Sequence, residues 1–272
     1  MTDLGAAPSE AAPPAPLVQP PTAPATMGPP LLRFDGVCAS YSNYRALFDV
    51  SFAVPQRGIV ALLGSNGSGK STVARVASGL VPVTAGAVHF NGDDITGMAA
   101  HKIAHAGVSH VPEGRGVFSS LTVDENLTLA FRQKVGRRGV ADAFDRAFTA
   151  FPALVACRRQ LGGTLSGGQQ RMLSLARVLA APPRLLIVDE LSLGLAPVVI
   201  DAVYDGLLAV RDSGCAILVV EQQVDRALAI AETAVLLAHG SVSWSGPAAS
   251  AGAAMEELLS SRTLAVTDQK DG

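Results

Sequence analysis

From residue 31 onward the chain alternates short apolar runs with longer segments of helical period, and glycine or proline marks many of the joins. Residues 31–34, 50–54, 59–63 and 87–90 are β-type runs, with Arg57-Gly58 and Asn91-Gly92 as turn pairs. Residues 185–188 and 216–220 are apolar without alternation, which suits strands buried on both faces of a parallel sheet. Residues 122–134 and 140–151 read as helices. In the second, Phe144, Phe148 and Phe151 recur at i, i+4 and i+7, the spacing of a packing stripe rather than of a cofactor box. Residues 166–181 form a third helical segment, with Met172, Leu175, Ala176 and Leu179 on its apolar face and Pro182 and Pro183 closing it. Strands and helices mixed in this order predict an α/β fold, a largely parallel sheet covered by helices. No period of 20 to 50 residues repeats along the chain.

Composition sharpens the picture at the ends and at the surface. Residues 1–30 hold nine of the 17 prolines, and 16 of the 30 are Ala or Pro, so a disordered, partly polyproline-like tail is expected there. A polar tail, residues 263–272, closes the other end. The 272-residue chain is 49% hydrophobic and 16% charged, with a mean hydropathy of +0.33, which raises the question of a membrane span. No stretch reaches the roughly 18 to 20 apolar residues that a spanning helix needs. Residues 216–220 and 234–238 have the lengths of strands. The N-terminus lacks the basic start and apolar core of a secretory signal. Lys plus Arg number 21 against 23 Asp plus Glu, a net charge of −2, which argues against a general nucleic-acid binder. Cys38, Cys157 and Cys215 make no CxxC pair and read as buried or incidental thiols in a reducing compartment. With five histidines they make no zinc ligand set.

The densest chemistry lies in Gly64-Ser65-Asn66-Gly67-Ser68-Gly69-Lys70-Ser71, which matches GxxxxGK[ST] in full, with Thr72 next. The apolar run 59–63 precedes it, and Val73, Val76, Ala77 and Leu80 follow at helical spacing, giving the strand, loop and helix that the motif requires. Glycines let the backbone curl until successive N–H groups point inward at a helix N-terminus, an anion nest. Lys70 adds a positive charge for the β- and γ-phosphates, and the Ser71 hydroxyl can ligate Mg²⁺. Four fixed positions arise by chance in about one chain in a hundred of this length.

Residues 185–188 run into Asp189-Glu190, which places two acids at the carboxyl edge of a sheet, where open α/β folds bind ligands. Asp189 can hold Mg²⁺ through water beside Ser71, and Glu190 can act as general base on the attacking water. Leu165-Ser166-Gly167-Gly168-Gln169-Gln170-Arg171 begins a second glycine signature, with Ser166 lying 23 residues before Asp189. Ser166 and Gln169 fit a capping box that opens a helix. Two glycines weaken that helix start, at roughly 1 kcal/mol each against alanine, and in exchange offer bare N–H groups and a hydroxyl to an anion. One phosphate loop already serves the chain's own site, so this helix is expected to face a nucleotide held by another subunit.

In order and spacing, the phosphate loop, LSGGQ and the apolar strand ending in Asp-Glu resemble the nucleotide-binding domain of ABC transporters. The resemblance covers roughly residues 31–262 and implies a P-loop NTPase core of ABC ATPase type, a mixed sheet with an antiparallel β subdomain and a helical subdomain at roughly 95–180. It implies ATP as substrate, Mg²⁺ as cofactor, and a head-to-tail dimer in which each site joins the phosphate loop of one subunit to the LSGGQ helix of the other. Val111-Pro112-Glu113-Gly114-Arg115, then Phe118 and residues 121–127, resemble the VPEGR…LTVxENL stretch of branched-chain amino-acid importers. Residues 192–197, Val220-Glu221-Gln222 and Gly246-Pro247-Ala248 are similar to the second ATPase subunit of that branch.

The resemblance assigns roles by position. Tyr41, with Tyr44 as the fallback, stands where the family stacks an aromatic ring on adenine. Glu113 stands where most members have a glutamine that touches Mg²⁺ and faces the membrane subunits. Gln222 replaces the switch histidine that contacts the γ-phosphate; glutamine donates a hydrogen bond but carries no titrating proton. Leu191 replaces the proline after the Asp-Glu pair, and the loss of that stiff residue is expected to loosen the segment reaching the opposite subunit. The implied function is an ATPase subunit at the cytoplasmic face of the cell membrane, powering import of branched-chain or other hydrophobic amino acids. Its partners would be a second ABC ATPase (a related subunit ahead of a second copy), two transmembrane permease subunits and, indirectly, an extracytoplasmic binding protein, with no nucleic acid. The alternatives are a regulatory, weakly hydrolysing subunit of a heterodimeric complex, or an importer of urea or short amides.

Overall fold

The computed structural model describes residues 28–112, 116–179 and 181–257. Most of the Ala/Pro-rich tail, the C-terminal tail and Glu113 lie outside those residues. Chain order gives β1 (Leu32–Tyr41), β2 (Tyr44–Val54), β3 (Gly58–Leu63), α1 (Lys70–Ala77), β4 (Val83–Phe90), β5 (Asp93–Asp94), α2 (Ala100–Ala106) and β6 (Val108–Val111). There follow α3 (Val123–Val135), α4 (Val140–Ala150), α5 (Gly167–Ala176), β7 (Leu185–Asp189), α6 (Pro197–Asp212), β8 (Ala216–Glu221), α7 (Val224–Ile230), β9 (Thr233–Ala238) and β10 (Ser241–Pro247). Two sheets result. An antiparallel one has the order β2-β1-β4-β5, and a larger one runs β10-β9-β3-β8-β7-β6, parallel except for the β9–β10 pair.

The unalternated apolar runs have a simple cause. Ile59, Ala61 and Leu63 of β3 point into one core with Leu186 and Val188 of β7 and Ile217 and Val219 of β8. Val60, Leu62, Leu185, Ile187, Leu218 and Val220 point into a second core on the opposite face. The first core is closed by α3, α4, α5 and α6; the second by α1 and the antiparallel sheet. Each strand therefore needs apolar residues at every position, and burying each Leu, Ile or Val contributes about 1.5–3 kcal/mol. Within the range 95–180 expected to be helical, β6 is a strand of the larger sheet, so the helical layer proper runs from α3 to α5. The aromatic stripe of α4 is packing: Phe151 is buried, and Phe144 meets Phe131 edge-on at 5.2 Å. Among the described residues no helix is long and apolar enough to cross a membrane.

Two helix limits differ from the sequence expectation. α1 stops at Ala77, and Leu80, expected on its buried face, is 59% exposed. The Ser78 hydroxyl turns back to the Ala74 carbonyl, and Gly79 takes a left-handed φ of 70°, which ends the helix before Leu80. The segment expected to run helical from 166 to 181 is α-helical only over α5.

Candidate nucleotide site

β3, buried along most of its length, delivers the chain into the glycine loop at the sheet's carboxyl edge. Gly69 caps α1 with φ 103°, a left-handed conformation that a side chain would strain, and no side chain caps the helix. The first-turn N–H groups of α1 are thereby left without a side-chain acceptor, the condition for anion binding at a helix start. Lys70, 3% exposed, donates from Nζ to the Ser65 carbonyl at 3.1 Å and lies 3.6 Å from Glu190 Oε1. Ser68 Oγ is buried within the loop with no hydrogen-bond partner among the described residues.

Across the loop, β7 brings Asp189 to the same edge. Ser71 Oγ donates to Asp189 Oδ1 at 3.1 Å, so a hydroxyl and a carboxylate meet 118 residues apart in sequence. Glu190 follows with φ 49°, a left-handed backbone unusual for a side-chain-bearing residue. The turn is held by the Glu190 N–H donating to the Val220 carbonyl at 2.8 Å and by Arg171 Nη2 donating to the Glu190 carbonyl at 3.3 Å. Backbone strain held by such bonds is a mark of functional turns.

A cleft of about 220 Å³ opens here, lined by Tyr41, Tyr44, Ala46, Gly67, Gly69, Lys70, Ser71, Thr72 and Glu190. Tyr41 ends β1 and Tyr44 begins β2, paired across a two-residue turn, so one hairpin tip carries both rings. Arg75 Nη1 donates to the Tyr41 hydroxyl at 3.2 Å, while Tyr44 is 70% exposed.

Of the expected site residues, Gly64, Ser65, Asn66, Ser68 and Asp189 are not in the cleft lining, and neither are Gln222 and Ser166 to Gln169. Gln222 is exposed, and its N–H donates to Glu221 Oε2 at 3.3 Å. Ser166 through Gln169 form the N-terminus of α5, with the expected capping box in place: Gln169 N–H donates to Ser166 Oγ at 3.3 Å, and Ser166 N–H to Gln169 Oε1 at 3.0 Å. Ser166 and Gly167 are exposed, whereas Gly168 is buried and a methyl group there would collide with the Val199 side chain. The second glycine of the signature thus answers to packing against α6.

Sequence reasoning passed over several contributors. Arg171 ties α5 to the Glu190 turn and also donates to the Pro112 carbonyl at 3.3 Å. Glu221, next to the singled-out Gln222, is buried and collects three donors. His110 on β6 places Nδ1 3.0 Å from Ser78 Oγ, and burial, with the Arg75 charge second, pushes its imidazole down to about 4. Leu191, expected to loosen the turn, is packed in the core at 1% exposure.

The ABC transporter family profile matches residues 47–192. The chain is 39% identical over 219 residues to the probable branched-chain amino acid transport ATP-binding protein LivF of Archaeoglobus fulgidus, covering 80% of this chain and 92% of that one. It is 31% identical to the lipopolysaccharide export system ATP-binding protein LptB of Haemophilus influenzae, over 78% of this chain and 88% of the relative. A dimeric bacterial ABC transporter cassette shares the fold with a TM-score of 0.72 at 21% identity, covering 80% of this chain and 98% of that structure.

Proposed function

The chain belongs to the ABC transporter family as an ATP-hydrolysing transporter subunit, and on that premise we propose that it powers an importer of branched-chain or other hydrophobic amino acids. The observation that carries the hydrolytic half of this reading is the convergence of Lys70, Ser71, Asp189 and Glu190 at one sheet edge. The likeness to the branched-chain transport ATPase supports the substrate class; it exceeds the likeness to the lipopolysaccharide exporter's ATPase by 39% to 31% identity.

Backbone N–H groups of residues 64–72 and the Lys70 ammonium hold the phosphates, and the Ser68 hydroxyl of the same loop is buried without a partner among the described residues. Tyr41 stacks on the adenine, oriented by Arg75. Ser71 Oγ and Asp189 Oδ1 are hard oxygen donors that fit Mg²⁺, Asp189 acting through water, and Glu113 is a further candidate ligand outside the described residues. Mg²⁺, when bound, neutralises charge on the β- and γ-phosphate oxygens. Glu190 accepts the proton of the attacking water as general base, and Gln222 donates a hydrogen bond toward the γ-phosphate once its loop turns in.

The cleft of about 220 Å³ is smaller than the roughly 300–1,000 Å³ of complete small-molecule sites. This fits a half-site completed by a second ATPase subunit, whose Ser166–Gln169 counterpart faces the nucleotide. Two permease subunits anchor the pair at the membrane's cytoplasmic face, and an extracytoplasmic binding protein delivers the substrate. The closing experiment is Glu190→Gln in the complex purified through a tagged copy of this chain: ATP stays bound and steady-state phosphate release falls at least about 100-fold. Turnover within twofold of wild type removes Glu190 as the base. Transport assays of the same complex with leucine, urea and a short amide separate the substrate classes.

Gln222 motivates a second reading, a regulatory subunit that hydrolyses little itself. A heterodimer with only the partner's catalytic glutamate mutated decides it, since residual hydrolysis must then come from this chain's site.

A further inference from the structure

Glu221 closes β8 one residue before Gln222, on the strand whose Val220 pairs with Asp189. It is 1% exposed, yet it holds no ligand role in the site described above. Its Oε1 accepts from the Ser192 backbone N–H at 3.0 Å, and its Oε2 accepts from the Ser192 hydroxyl at 2.8 Å and the Gln222 N–H at 3.3 Å. One buried carboxylate thus joins the turn two residues beyond Glu190 to the loop that carries Gln222. Bonds to an ionised acceptor are roughly twice as strong as neutral ones, and a buried carboxylate without them would be costly.

The same turn is gripped at its far end. Leu191 is anchored in the core, Leu195 touches the Cβ position of Gly167 at 3.5 Å, and Val199 fills the space over Gly168. A shift of Ser192 therefore moves both the Glu190 turn and the ground on which the signature helix stands. Tyr204 of α6 lies beside Glu221; burial, and then the Glu221 charge, pushes its phenol up.

We propose that Glu221 is a positioning residue for hydrolysis, a clamp that sets Gln222 against the Glu190 turn and holds residues 192–196 against the start of the signature helix. It supplies by hydrogen bonds the stiffness that a proline at position 191 would give. The inference rests on the hydrolysis reading above, with Glu190 as base and Gln222 at the γ-phosphate.

The test uses the full chain in its purified complex, with Glu221→Gln, Ser192→Ala and the double variant. Glu221→Gln keeps one acceptor oxygen and replaces the other by a donor, so whichever way the amide turns it meets one backbone N–H, that of Ser192 or of Gln222, with the wrong polarity, although the Ser192 hydroxyl can rotate to accept. We expect kcat to fall about 10- to 100-fold with the KM for ATP within twofold, Ser192→Ala to lose about five- to tenfold, and the double variant to be no slower than Glu221→Gln alone. Amide exchange at Ser192 and Gln222 should quicken at least tenfold in Glu221→Gln. Wild-type kcat in Glu221→Gln, losses that multiply in the double variant, or a kcat loss in Ser192→Ala matched by an equal rise in KM would each overturn the clamp. The two readings fail separately. Normal turnover in Glu190→Gln sinks the hydrolysis reading alone, whereas unchanged exchange at Ser192 in Glu221→Gln sinks the clamp whatever the turnover.

Discussion

The phosphate loop and the signature helix are both glycine-rich helix starts, and they treat their polar groups in opposite ways. At α1 no side chain caps the helix, the Ser68 hydroxyl has no partner among the described residues, and Lys70 turns inward to Ser65 and Glu190. At α5 the capping box satisfies Ser166 and Gln169 from within, while Ser166 and Gly167 stand in solvent. The first is built to take a ligand from its own chain's cleft. The second is a finished surface that is offered outward. The contrast teaches that a glycine motif alone does not locate a site; what decides is whether the helix start opens into its own chain's cleft, as α1 does, or stands on the outer surface, as α5 does.

The sharpest break of the contrast separates binding from turnover. Lys70→Ala removes the one cation among the described residues of the cleft lining, and charge-assisted bonds of about 1.5–3 kcal/mol convert to a loss of roughly 10- to 150-fold in ATP-analogue affinity. Gly167→Val should leave that affinity within about threefold while turnover in the complex falls by a similar factor. Equal loss of binding in both variants, measured by titration with a fluorescent analogue, would show that α5 serves its own chain's site.

The two signature glycines differ from each other in the same spirit. At Gly168 an added methyl meets Val199, and overpacking costs about 1–3 kcal/mol; at Gly167 it meets Leu195 at ordinary contact distance. Thermal melts should drop by about 3–10 °C for Gly168→Ala and by no more than about 2 °C for Gly167→Ala. Equal melting temperatures would mean that α6 gives way and that Gly168 is kept for the ligand alone.

Much of this was legible in the sequence, for identifiable reasons. Residues 59–63, 185–188 and 216–220 are apolar at every position because β3, β7 and β8 lie between two cores, and the motif residues of the phosphate loop are contiguous. The meeting of Ser71 with Asp189 follows from those strands being neighbours of β8. What sequence could not show are contacts made across the chain by residues whose motif, where they have one, gives them no role. Arg171, Glu221 and His110 look like ordinary polar positions until α5, β8 and β6 are placed. Leu191 shows the reverse case: the missing proline suggested a loose turn, but burial of Leu191 and the two Ser192 bonds to Glu221 tighten it. β6 was hidden because Val108-Ser109-His110-Val111 has too few apolar residues to stand out.

At the hairpin tip, Tyr41 and Tyr44 sharpen the ligand side of the contrast. Tyr41 is held by Arg75 and Tyr44 is mostly solvated. Stacking on a base is worth about 1–3 kcal/mol, so Tyr41→Ala should raise the KM for ATP about tenfold, and Tyr44→Ala less than twofold. Tyr41→Phe, which loses only the bond to Arg75, should stay within about threefold. A larger effect at Tyr44 would exchange the two roles.

The smallest effect concerns the far end of α1, where His110 supports Ser78. Burial holds the imidazole down at about 4, against about 6.5 in an unfolded chain. Between those values the unfolded chain binds a proton here that the folded chain does not. The stability from this residue is thus fully present above pH 6.5 and is lost as pH falls toward 4. Melting temperatures of wild type and His110→Asn, taken at pH 7.5 and pH 5, should show the wild type losing a few degrees more on acidification, because Asn keeps a partner for Ser78 but does not titrate. Such a difference would place part of the acid sensitivity at the end of the phosphate-loop helix. Parallel losses in the two proteins would move it to the carboxylates instead.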